Sequence, residues 1–168
     1  MRFKNYLDKQ EISGAEVNEF VNNWKSKMKS YGCDFQLTKH FVIDRLNDKR
    51  NTPSVTIEEM NWLMESYLKQ YGKIFKQDVE NVKNNVAKPR GVNAKAVTKE
   101  YGPNNLEWTV SGSIKDRSNL HMVFVMKQDN KQKGTCVLKP QTVIRTKNKK
   151  VTRGEYYEIS GQYIMKGE

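Results

Sequence analysis

The chain has 168 residues, 36% of them hydrophobic, and carries 30 Lys and Arg against 19 Asp and Glu, a formal net charge of +11. That is the length of one domain, 1–168, able to bury a single core without metal or disulfide support. The absence of any run of eighteen apolar residues excludes a membrane-spanning helix, and so large an imbalance favours polyanions over neutral ligands.

Charges recur from Met1 to Tyr31, where a secretory leader needs an uninterrupted apolar core, so a cytoplasmic protein is expected, in a host cytoplasm if it is viral. Residues 1–12 show no clear period and are read as an irregular arm. Ser13 to Glu16, S-G-A-E, forms a capping box. The apolar residues Val17, Phe20, Val21, Trp24 and Met28 then recur at three and four, which predicts an amphipathic helix ending near Gly32. Thr38 is the expected N-cap of a second helix running through Phe41, Val42, Ile43 and Leu46 toward Asn47. The segment from Asn47 to Pro53 is polar and reads as a loop that leaves Arg50 free to reach outward. Thr56 to Glu59, T-I-E-E, is a second capping box, and Met60, Leu63, Met64, Tyr67, Leu68 and Tyr71 mark a helix stopping at Gly72. A further helical spacing follows from Lys73 to Val86.

Residues 87–104 are expected to be a connector, with one short strand around Ala94 to Thr98, basic enough to act as a flap over a ligand. Past Pro103 the period changes to two. Leu106 to Ile114, Leu120 to Lys127, Gly134 to Arg145 and Tyr156 to Met165 are predicted strands, and their short spacing predicts an antiparallel meander. Pro140 cannot donate to a ladder and marks a bulge, a strand start or an edge. The expected fold is α+β, with N-terminal helices packed on one face of a twisted antiparallel sheet of about four strands.

Candidate chemistry centres on the two histidines. At helical spacing His40 and Asp44 stand one turn apart, so the carboxylate can orient or charge-pair the imidazole, whose titration near neutrality suits proton transfer. For His121 two placements stay open: it alternates with Met122, Phe124 and Met126, so it either shares an open groove with Arg117 and Lys127 or is a satisfied core residue. Nine basic residues and one acid, Asp129, lie between Lys127 and Arg153, which polarises the charge. Arg50, Arg117, Lys127, Lys139, Arg145, Lys147 and Arg153 are the candidate phosphate contacts. Among the interleaved aromatics, Trp108, Tyr156, Tyr157 and Tyr163, one or two are expected to stack on bases, with Tyr156 or Tyr157 favoured.

The segment L-T-K-H-F-V-I-D-R-L-N-D-K-R-N, the acid-rich helix after it, and the strands ending in T-V-I-R-T-K resemble the RegB-type phage endoribonucleases and, more distantly, the RelE and BrnT-like toxin ribonucleases. The resemblance implies helices placed before a twisted antiparallel sheet, an RNA-cutting cleft, and a metal-independent cut. It implies His40 as general base or acid and Arg45 as a phosphate contact. The family motif sets arginine four residues after histidine. Here the spacing is five, which on a regular α-helix rotates the pair by about 100°. The RegB type also has a second histidine after the next helix, and the matching region here offers Tyr71 and Lys73, leaving His121 as the substitute from the sheet.

Motifs for phosphate-binding loops, dinucleotide sites, nucleophile elbows and zinc proteases are absent, and no metal or other cofactor is expected. Cys33 and Cys136 could in principle pair, but without C-x-x-C spacing they read as small buried apolar residues of a reducing compartment. RNA is the expected partner, with DNA as a second polyanion and no membrane. Two alternatives to a metal-independent endoribonuclease acting through the 2′-hydroxyl are a non-catalytic nucleic-acid-binding regulator, of viral type among others, and a basic inhibitor docking on an acidic host protein.

Overall fold

The computed structural model describes residues 12–129, 131–132, 134–147 and 154–165. Ser13 opens helix α1, Gly14–Lys29, through the predicted capping box, its hydroxyl accepting the N–H of Glu16. The stripe Val17, Phe20, Trp24 and Met28 is buried. A two-residue strand β1, Asp34–Phe35, follows, which the sequence pattern did not announce.

The second predicted helix is a single turn. Thr38 caps it as expected, its Oγ1 accepting the Phe41 N–H at 3.0 Å. Phe41–Arg45 is then wound as a π-helix, closed by the Leu46 N–H on the Phe41 carbonyl at 2.9 Å. Buried Phe41 and Leu46 anchor this π-turn in the core.

Helix α2, Ile57–Lys83, starts at the Thr56 capping box. It joins the two helices expected on either side of Gly72 into one element, with non-helical backbone at Tyr71 (φ −125°, ψ 22°). The apolar stripe continues across that kink with Phe75, Val79 and Val82, so tertiary burial outweighs the weak propensity of the Gly72 region. The expected short strand near Ala94 is instead helix α3, Ala94–Tyr101, with Val97 buried.

The remaining strands are β2, Leu106–Ile114, β3, Ser118–Lys127, β4, Val137–Thr146, and β5, Glu155–Tyr163. They form a five-stranded mixed sheet in the order β1-β4-β3-β2-β5. The β2-β3 and β3-β4 pairs are antiparallel as predicted, and the bulge between Val123 and Phe124 falls where Pro140 pairs. The last strand departs from the meander: β5 lies parallel to β2 at the far edge.

The fold is therefore α+β. One sheet face carries Trp108, Val110, Leu120, Met122, Phe124 and Leu138, packed with the buried stripes of α1 and α2 into a single apolar core. The opposite face is more polar yet buried over much of its area, through Glu107, Thr109, Ser111, His121, Val123 and Val125.

Candidate functional site

The sequence from His40 to Arg45 makes a connected polar chain on the surface. His40 Nδ1 lies 2.7 Å from Asp44 Oδ2, and Arg45 donates from Nε to His40 Nε2 at 3.2 Å. A guanidinium N–H can only donate, so Nε2 accepts and the ring proton sits on Nδ1, pointing at Asp44. The His40 and Asp44 side chains are 54% and 56% exposed, so the ring is open to a ligand. The five-residue spacing of His40 and Arg45 no longer separates them. A π-turn closes on residue i+5 where an α-helix closes on i+4, and it brings Arg45 back over the imidazole.

The turn packs against β4. Because β1 pairs only with Val137 and Leu138, the rest of that β4 edge would be bare. Asn51 covers it as a strand residue would, donating Nδ2 to the Val143 carbonyl at 3.2 Å while its Oδ1 accepts the Arg145 N–H at 2.9 Å. The loop after the π-turn is thereby fastened to the sheet.

Arg50 does not extend freely. Its Nε and Nη2 fold back on Asp48, the latter at 2.7 Å, and this pairing holds the Asp48 carboxyl down at about 2. The Arg50 side chain is nonetheless 77% exposed, so a phosphate can compete for it at little cost.

Two expected site residues are corrected. Arg145 is a buried structural cation: Nε donates to the Pro53 carbonyl at 2.7 Å, Nη1 to Arg117 O at 2.9 Å, and Nη2 to Ser54 O and both Glu59 oxygens. Every part of its fork is engaged inside the protein, which leaves nothing for phosphate. His121 is also buried, with Nδ1 2.5 Å from Ser111 Oγ and Nε2 2.7 Å from Thr146 Oγ1. Burial drives its pKa down to about 4, which keeps the ring neutral. It is the satisfied interior residue of the two placements.

Lys127 and Lys139 lie on the same buried-polar sheet face as His121, by their register with Val137 and Val125, turned away from α1 and α2. Burial, with the Lys127 charge beside it, holds the Lys139 amine below its ordinary range. Arg145, engaged inside the protein, is thus no part of the expected hollow in which strand cations meet the helix-side imidazole. Lys147 is exposed just past β4, Arg117 is half-buried in the β2-β3 turn, and Tyr156 is half-buried opposite Thr109. Arg153 lies outside the described residues, as does most of the expected N-terminal arm. Trp108 and Tyr157 are core residues rather than base stackers.

Sequence reasoning passed over a second cationic surface. Lys25 and Lys29, one turn apart on α1, join Lys83 from the end of α2 around a groove of about 660 Å³. Their helical spacing was the available signal. Among the described residues, no three His, Cys, Asp or Glu side chains come together to hold a metal ion, and no helix is long and apolar enough to cross a membrane. Comparison with protein-family models, with curated proteins and with solved structures finds no match.

Proposed function

We propose that this protein binds RNA and cleaves it, without a metal ion, at the His40 turn. The observation that carries the reading is the exposed Asp44–His40–Arg45 chain, in which a carboxylate fixes the imidazole tautomer and a guanidinium rests on the free ring nitrogen. An arriving phosphate competes for Arg45, whose fork matches phosphate oxygens better than a ring nitrogen. Its departure frees Nε2 to take the proton of a ribose 2′-hydroxyl. Asp44 holds the opposite ring proton and stabilises the imidazolium that results, as a carboxylate does for a histidine base. The 2′-oxygen then attacks phosphorus, Arg45 balances the charge that grows on the phosphoryl oxygens, and the 5′-oxygen leaves with a proton from water. Arg50 is close enough in sequence to hold a neighbouring phosphate once it lets go of Asp48.

The test is labelled single-stranded RNA incubated with the protein in excess EDTA. Discrete fragments ending in a 2′,3′-cyclic phosphate are expected. His40→Ala should lower the rate by about 10²- to 10⁴-fold, the usual worth of a general base, while RNA binding persists. A second reading, binding without cleavage, is favoured by the burial of His121, which removes the other imidazole from the surface. Salt-sensitive binding with no fragments would establish that reading in place of the first. Failure to bind RNA or DNA at low salt would leave only docking on an acidic protein.

A further inference from the structure

Cys33 and Cys136 are the chain's two cysteines, and both are buried. They are 103 positions apart, yet their sulfurs lie 3.0 Å from one another. The cause is the sheet. Asp34 pairs with Val137 and Phe35 with Leu138 in parallel register, which sets Cys33 opposite Cys136 one residue earlier, and the Asp34 N–H donates to the Cys136 carbonyl at 2.8 Å. Residues opposite one another in a sheet project to the same side, and their strand spacing of about 4.8 Å falls inside the roughly 4.4–6.8 Å Cα separation of disulfides. Closure asks for about 1 Å of sulfur movement.

Cys33 and Cys136 are among the residues that line the groove ringed by Lys25, Lys29 and Lys83. Lys25 is paired with Asp34 at 3.0 Å, which leaves the groove with an excess of positive charge. A groove of that sign favours an anionic oxidant over a neutral one.

We infer that the Cys33–Cys136 pair is a thiol–disulfide exchange site, oxidised to an internal disulfide by an anionic low-molecular-weight disulfide of the glutathione class that docks in the lysine-lined groove. One cysteine loses its proton and its thiolate attacks a sulfur of the oxidant, breaking that S–S bond and expelling one glutathione thiolate. The second cysteine loses its proton and attacks the protein sulfur of the mixed disulfide, expelling the second glutathione. Two protein thiols are oxidised, one disulfide is reduced to two thiols, and the two protons end on the glutathione products. The Cys33 thiol is held far above its ordinary range by the hydrogen bond to Cys136 and by burial, which makes the exchange slow at neutral pH and faster in alkali. This site is separate from the His40 turn and does not depend on RNA cleavage.

The experiment uses the full chain, reduced, freed of reductant and exposed to oxidised glutathione at pH 8, then denatured, alkylated and weighed intact. The expected product is a monomer two hydrogens lighter than the reduced chain, with no alkyl groups. Cys136→Ser should stop at a single glutathionyl adduct. At low salt the uncharged bis(2-hydroxyethyl) disulfide should react several-fold more slowly than oxidised glutathione, and Lys29→Gln/Lys83→Gln should bring the two rates together. Full alkylation of both cysteines after exposure, a covalent dimer, or a doubly glutathionylated chain would overturn the proposal. Equal rates for the two oxidants on the wild-type chain would overturn the groove's part in it.

Discussion

The two histidines of this chain sit in opposite environments, and each environment dictates a different pH behaviour. His121 has both nitrogens engaged with hydroxyls inside the sheet, and burial holds its pKa down at about 4 against roughly 6.5 when unfolded. Between those values the unfolded chain binds a proton that the folded chain refuses, so stability falls as pH drops from about 6.5 towards 4. The full loss is on the order of 3 kcal/mol. Urea unfolding of the wild type at pH 7.5 and 4.5 should register it, and His121→Asn should flatten the dependence. An unchanged pH dependence in that variant would show that other groups cause the loss. Nothing in the alternation around His121 could settle its placement beforehand, because both faces of β3 are buried and alternation only says which residues share a side.

Elements in this fold are joined by side chains that serve two of them at once. Glu59 closes the capping box of α2 by accepting the Thr56 N–H at 3.0 Å, and it also takes the Arg145 guanidinium from β4 at 2.7 Å. The first role is readable in T-I-E-E. The second links residues 86 apart, and no local pattern encodes it. The same limit hid the β1 strand, whose two residues are ordered by β4 rather than by their own propensity, and the parallel docking of β5. The π-turn was hidden for a different reason: F-V-I-D-R is compatible with an ordinary helix, and only the anchoring of Phe41 and Leu46 selects the wider winding. With both partners at 1% side-chain exposure or less, the Arg145–Glu59 pair is a buried one. Arg145→Ala should then cost about 3–5 kcal/mol, because it strands a buried carboxylate. Pairing Arg145→Met with Glu59→Gln removes both charges and should recover part of that loss. Urea midpoints of the three proteins are the measurement, and a single-variant loss under about 1 kcal/mol would mean the carboxylate finds water or protonates cheaply.

At the scale of the whole molecule, the net charge of +11 is the basis for proposing a polyanionic ligand, and it carries no information on where such a ligand would lie. Helix α1, the start of α2 and the main strands follow from capping boxes and periodicity, and the Asp44–His40 contact follows from spacing, because these depend on neighbours in sequence. The expected convergence of strand cations on His40 depended on which face each strand residue takes. Arg145 went to the helix-packed face, Lys127 and Lys139 to the other. With Arg145 buried, the proposed RNA contact at the His40 turn rests on Arg45 and Arg50, and the salt dependence of binding tests that. Each phosphate neutralised on a single strand contributes about 0.7 to the slope of log affinity against log salt. If Arg45 and Arg50 each hold one phosphate, Arg45→Ala and Arg50→Ala should each reduce the slope by about 0.7, and the double variant by about 1.4, whereas Arg145→Met should leave it unchanged once the protein is verified as folded. Fluorescence anisotropy with a labelled single-stranded RNA between about 50 and 200 mM salt resolves differences of that size. A slope indifferent to Arg45 and Arg50 would move the RNA path away from the His40 turn, and with it the imidazole's claim to the cut.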